Sequence, residues 1–184
     1  MIVKHIAVGV VFIAIVSVIA HADTIGVYND TGGTDCNISD DEFPIKEVYV
    51  VHVTSLGATA SEWSAPIPAC WTNATWLSDT EPFSMPGNSQ TGKSVGYGTC
   101  MAGPGAIHIL TINYFVEGSS PPCCPYPVLP ASWAEDVLVV DCNNNLLPGV
   151  GLTSTINGDE TCPCGYPVPV EETTWGKIKV LYTE

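Results

Sequence analysis

Val48-Tyr49-Val50-Val51-His52-Val53 and Ile107-His108-Ile109-Leu110-Thr111-Ile112 decide how this chain folds. Both are nearly continuous apolar runs rich in β-branched residues, the pattern of central strands covered on both faces. Working outward, the two runs extend over 47–54 and 106–116, and further strands are expected at 24–28, 61–66, 94–98, 136–141 and 152–156. Gly, Pro, Asn and Ser separate these segments, which is turn punctuation. Short strands at fairly regular spacing, 15 prolines and no long amphipathic stretch predict an all-β fold, an antiparallel β-sandwich of immunoglobulin-like or jelly-roll type. The last segment reads two ways. Thr174 as an N-cap before Trp175, Ile178 and Leu181 or Tyr182 predicts a short C-terminal helix, the favoured reading. Ile178, Val180 and Tyr182 alternating with Lys177 and Lys179 would instead suit an edge strand.

Residues 1–22 read as a cleavable signal peptide. Lys4 and His5 precede an apolar run from Ile6 to Ala20, and Ala20-His21-Ala22 sets cleavage before Asp23. The run is shorter than the roughly 20 residues a spanning helix needs, and no later segment is apolar and long enough. Residues 23–184 then form a single domain, with 173–184 as a tail segment. The chain has 19 acidic residues, five lysines and no arginine, for a net charge of −14. Such a surface repels nucleic acid and anionic lipid and lacks the bidentate grip of arginine on phosphate. Its 46% hydrophobic content argues against disorder.

Cys36, Cys70, Cys100, Cys123, Cys124, Cys142, Cys162 and Cys164 predict four disulfides and a secreted or cell-envelope location, because paired thiols persist in oxidising compartments. Connectivity stays open. Cys123 and Cys124 are expected to bridge to different partners, Cys70 and Cys100 could close the loop between them, and Cys142 is placed to meet a late cysteine. Cys162-Pro163-Cys164 is the one spot where redox chemistry or a metal is weighed against a structural bond, and the structural bond is favoured. Cys124-Pro125-Tyr126-Pro127-Val128 and Cys164-Gly165-Tyr166-Pro167-Val168 share a C-x-Y-P-V pattern, each followed by a tryptophan, Trp133 and Trp175.

No nucleophile elbow, HExxH or phosphate loop is present, so no enzymatic signature emerges. Behind signal cleavage only His52 and His108 remain. Side by side with a carboxylate they could hold a hydrolytic metal, the third-ranked function. Asp30, Asp35, Asp40, Asp41 and Glu42 crowd a glycine-containing stretch whose oxygens suit calcium without matching the EF-hand register. Trp63, Trp71 and Trp76 are the candidate platform for a glycan, with packing on a disulfide as the favoured reading.

Ile25-Gly26-Val27-Tyr28 with its Gly-Gly-Thr loop, Gly57-Ala58-Thr59-Ala60, the Gly87–Gly92 loop, the two central strands and Thr174-Trp175-Gly176-Lys177-Ile178-Lys179 together resemble a group of exported all-β proteins of environmental bacteria that carry no assigned activity. The resemblance implies export and an all-β domain, and the Trp-Gly-x-Ile-Lys-type tail reads as a sorting or anchoring signal, with the last core element of the domain as the competing reading. The expected function is an exported, non-catalytic surface, matrix or interaction protein, self-assembling or binding a surface partner. A carbohydrate- or calcium-dependent binding module is the alternative.

Overall fold

The computed structural model describes residues 23–41, 44–83, 85–162 and 164. Thirteen strands and no helix form among them: β1 (Thr24–Tyr28), β2 (Asn37–Ile38), β3 (Ile45–Thr54), β4 (Ala58–Trp63), β5 (Ala74–Thr80), β6 (Gly87–Asn88), β7 (Gly92–Met101), β8 (Gly105–Val116), β9 (Cys124–Pro127), β10 (Leu138–Asp141), β11 (Leu146–Pro148), β12 (Val150–Gly151) and β13 (Thr153–Ile156). Sheet I has the order β12-β1-β3-β8-β5, sheet II the order β11-β10-β4-β7-β6, and a small sheet III the order β2-β13-β9. Neighbours are antiparallel except β1 with β12 and β2 with β13. This is the all-β sandwich that the sequence predicts. The signal segment, Glu42, the second C-x-Y-P-V copy beyond Cys164 and the 173–184 tail with its helix-or-strand question lie outside the described residues. Among the described residues no helix is long and apolar enough to cross a membrane.

The two apolar runs occupy the middle of sheet I, where β3 and β8 pair from Ile45 with Phe115 to Thr54 with Gly105. Alternation turns Val48 and Val50 of β3, Ile25 and Val27 of β1, and Leu110, Ile112 and Tyr114 of β8 inward. They meet Trp63, Val95, Tyr97 and Val139 of sheet II, and none of these eleven side chains is more than 5% exposed. Each contributes roughly 1.5–3 kcal/mol of apolar burial. The outer side of β3 is covered as well, which explains its continuous hydrophobicity. Val51 is fully buried beneath the 29–35 loop, where Gly33 at φ 68° passes so close that a Cβ would stand 3.0 Å from Val51 Cγ1.

A β-bulge between Val50 and Val51 resets the register, so that His52 lies opposite Ile107 and Val51 opposite His108. This shift separates the histidines.

Candidate functional site: an uncovered sheet face

His52 points into the sandwich and is fully buried. Its Nδ1 lies 2.8 Å from the Tyr97 hydroxyl, which donates to Ser61 Oγ at 2.8 Å, and Trp63 Nε1 donates to the same oxygen at 3.2 Å. His52 Nε2 is buried without a hydrogen-bond partner, 3.6 Å from Asp23 Oδ2. Burial holds the imidazole below its ordinary pKa, against an opposing pull from the Asp23 carboxylate. A histidine kept neutral in the native state binds fewer protons than the unfolded chain does. Stability is therefore complete above the unfolded pKa of about 6.5 and declines as pH falls from there toward the native value. Melting temperatures recorded between neutral and mildly acidic pH should fall more steeply for the wild type than for His52→Gln; parallel curves would show that His52 does not titrate on unfolding.

His108 sits on the opposite face of sheet I, half-buried, its ring edge-on to Tyr49 at 5.5 Å and its Nε2 3.1 Å from Thr111 Oγ1. The shared metal site conceived for the two histidines is therefore not built, because the sheet itself lies between them.

The acidic candidates do not converge either. Asp30 accepts from Gly32 N at 2.6 Å, from Thr34 N and Oγ1 at 3.1 Å each, and from Asp35 N, closing its own loop. Asp35 accepts from Asn29 Nδ2 and Asn37 N, both at 3.0 Å, and Asp41 accepts from the Ser39 hydroxyl. Asp40 is 1% exposed and takes five donors: Trp71 Nε1 and Ser120 N at 2.9 Å, Asn73 Nδ2 at 3.2 Å, Asn157 Nδ2 at 2.6 Å and Ser119 Oγ at 3.1 Å. Burial alone would raise its pKa; the hydrogen bonds outweigh burial and hold it far below the carboxylate range. Asp40 is a structural hub.

The cysteines pair as Cys36–Cys164, Cys70–Cys124, Cys100–Cys142 and Cys123–Cys162. Cys123 and Cys124 do bridge to different partners. The expected Cys70–Cys100 closure is replaced, and Cys142 meets Cys100 rather than a late cysteine. Cys162 and Cys164 are bonded separately. Among the described residues the one trio with convergent ligand atoms is Cys123, Asp159 and Cys162, but both of its sulfurs belong to one disulfide and offer no thiolate.

The tryptophans proposed as a glycan platform are mostly interior. Trp63 is 0% and Trp71 1% exposed, with Trp71 packed 4.6 Å from the Tyr114 ring. Trp76 is half-buried and donates to Asp79 Oδ1 at 3.1 Å. The reason is strand register: Trp76 pairs with inward Tyr114 and Trp63 with inward Lys93. Among the described residues the exposed indole is another one, Trp133, 57% exposed.

Trp133 stands on the outer face of sheet II. Lys93, Val95 and Tyr97 of β7 turn inward, so alternation sends Gly92, Ser94 and Gly96 outward. The Trp133 ring lies against Gly92: a Cβ there would fall 2.7 Å from Cη2, at a φ of 146°. Only glycine leaves this space. The loop beneath is fixed by Ser132 N to Thr91 O and Ala134 N to Ala131 O, each 2.8 Å, and by the Ser64 hydroxyl to Pro130 O at 2.8 Å. From Trp133 the face continues across Ser94 and Gly96, Ala60 and Glu62 of β4, and Leu138 and Val140 of β10. Nothing described lies over it, and a Cβ on Gly96 would meet no atom within 4 Å. The outer face of sheet I is covered at Val51; on that of sheet II Gly96 is exposed and Ala60, Glu62, Ser94, Leu138 and Val140 are half-buried, with no described residue placed over them. Sequence reading missed Trp133 because the cue, a glycine on a strand distant in sequence, appears only once β7 and the 129–133 loop are placed together.

No family model and no curated protein matches the chain. Among solved structures it is similar to the sixth cohesin of Acetivibrio cellulolyticus scaffoldin B, crystallised in complex with a Cel5 dockerin mutant, with TM-score 0.50, 8% identity, and 75% of this chain and 99% of that one covered. The seventh scaffoldin B type I cohesin of Pseudobacteroides cellulosolvens matches with TM-score 0.45 and 10% identity over 79% of this chain and 97% of its own. A Clostridium thermocellum type I cohesin in complex with a dockerin matches with TM-score 0.44 and 14% identity, covering 72% and 99%. At these identities the likeness is one of fold, a cohesin-like β-sandwich.

Proposed function

We propose that this chain is an exported, non-catalytic interaction module that takes a protein partner onto the outer face of sheet II, with Trp133 as the anchor. The observation that carries this reading is a large indole, packed on Gly92 and 57% exposed, at the margin of a sheet face of small and apolar side chains. Rigid aromatic side chains next to small and apolar neighbours lose little entropy on binding and tend to dominate interface energetics. Work outside the cytoplasm is supported by the bonding of all eight cysteines. The fold shared with a cohesin crystallised with a dockerin is compatible with a docking role.

The test begins with immobilised oxidised protein and the extracytoplasmic fraction of its source. A retained protein, purified and titrated in solution, should bind Trp133→Ala and Val140→Glu at least tenfold more weakly, about 1.4 kcal/mol, with the melting temperature unchanged. Equal binding by both variants would remove the face from consideration. The exposed indole also suits a pyranose ring. A glycan array probed with wild type and Trp133→Ala, with and without calcium, decides for that second reading if a glycan is held and lost with the tryptophan.

A further inference from the structure

Lys93, near the start of β7, turns its ammonium group into the sandwich and is 1% exposed; its neighbours across sheet II are Trp63 of β4 and Gly87 of β6. Two carboxylates reach it, one from β5 of sheet I and one from the turn that follows. Asp79, its side chain 6% exposed, places Oδ2 3.5 Å from Lys93 Nζ, and Glu81, its side chain 30% exposed, accepts a hydrogen bond from the same nitrogen. Asp79 is held in place. Its Oδ1 accepts from Ser89 Oγ at 2.8 Å and from Trp76 Nε1 at 3.1 Å, and its Oδ2 accepts from Ser89 N at 2.7 Å. Burial keeps the Lys93 amine below its ordinary pKa, against the pull of Asp79. One cation with two carboxylates has one acid more than an ion pair needs, and a buried ion pair repays its desolvation poorly. An amide in place of the pair removes both buried charges.

We propose that Lys93 and Asp79 condense into an isopeptide bond that joins β5 of sheet I to β7 of sheet II, with Glu81 carrying the protons. Glu81, in contact with Nζ, takes an ammonium proton, and the freed amine attacks Asp79 Cγ. As the Nζ–Cγ bond forms, negative charge gathers on Oδ1, where Ser89 Oγ and Trp76 Nε1 already donate. The Cγ–Oδ2 bond then breaks. Two of the three ammonium protons leave with Oδ2 as water, passed on by Glu81, and the third stays on the amide nitrogen. Nothing is oxidised or reduced and no further reactant enters. The fold holds amine and acid together, so the step is unimolecular and gains the full benefit of positioning. Asp79 is the acceptor because its carboxyl is the deeper one and its Oδ1 has two donors; Glu81 stands on the more exposed side, where protons and water can pass. None of the four disulfides links β5 to β7, so the bond ties the two sheets where no sulfur does. It does not depend on what binds at Trp133.

Mass spectrometry of the full chain, reduced and denatured, tests this. The chain should weigh one water less than the sequence from its own N-terminus, and proteolysis should release a branched peptide, stable to reductant, that joins Asp79 to Lys93. Lys93→Met and Asp79→Ala should each restore the full mass. Glu81→Gln changes a partly exposed side chain and leaves both reacting groups in place. That variant should fold and condense at least about a hundredfold more slowly, with mass followed from synthesis onward. A wild-type chain of full mass, a water loss that persists in Lys93→Met, a branch at Glu81 instead of Asp79, or condensation of Glu81→Gln at the wild-type rate would each overturn the proposal.

Discussion

Replacing Asp40 with alanine should cost about 4 kcal/mol of stability and lower the melting temperature by roughly 10–15 °C. The size follows from what the carboxylate serves. Trp71 lies on the approach to β5, Asn73 at its start, Ser119 and Ser120 follow β8, and Asn157 follows β13, so one side chain ties four segments together. Removing it leaves buried donors unpaired rather than merely deleting bonds, and each unpaired donor costs about 1–3 kcal/mol before relaxation and water entry reduce the sum. Urea or thermal unfolding of the oxidised variant measures the loss. A loss below about 1 kcal/mol would mean that water replaces the carboxylate, and the hub would lose its standing.

The same residue sets the acid limb of the stability curve. Hydrogen bonds overcome burial and hold its pKa well below the unfolded value of about 3.9. The charged form is therefore favoured in the native state. Its contribution is complete above the unfolded pKa and is lost as pH falls below about 4 toward the native pKa. Asp40→Asn keeps the shape, turns an amide toward donors and removes the titration, so the variant should be less stable at neutral pH and flatter in acid.

How much of this was legible in the residues depends on whether the cue was local. The pairing of β3 with β8 at the centre of sheet I was legible, since continuous β-branched runs have few other destinations. So were the strands at 24–28, 61–66 and 94–98, at least in their cores. β5 escaped because Trp76, Leu77, Ser78 and Asp79 break alternation at a bulge, and β9 and β11 escaped because prolines interrupt them. The acidic stretch showed its composition but not its geometry: Asp30 folds back on its own loop while Asp40, ten residues on, is drawn into the interior by donors distant in sequence. For Trp63 and Trp71 core packing was the favoured reading over a platform, and both are buried. Trp133 is exposed for a reason seated on another strand, Gly92, and a single chain read in order cannot show that.

The second large effect should come from the Cys70–Cys124 bridge, and it separates chain entropy from packing. The four sequence separations, 128, 54, 42 and 39, give closure estimates of about 4–5 kcal/mol each, too similar to rank the bonds. Surroundings rank them. Cys124 is 3% exposed and starts the strand whose Tyr126 hydroxyl lies 2.6 Å from that of Tyr114, while Cys70 is followed by Trp71, the indole that reaches Asp40. Cys100 is exposed at the far end of β7. Cys70→Ser with Cys124→Ser should therefore lose about 1–2 kcal/mol more than Cys100→Ser with Cys142→Ser, because a buried hydroxyl replaces sulfur and Trp71 is released. Equal losses in urea unfolding would mean that loop entropy alone is at work. The bridge and the hub act on one tryptophan, so combining Cys70→Ser, Cys124→Ser and Asp40→Ala should cost less than the sum of the separate losses. Simple additivity would show that Trp71 is held by the surrounding tyrosines and not by these two fastenings.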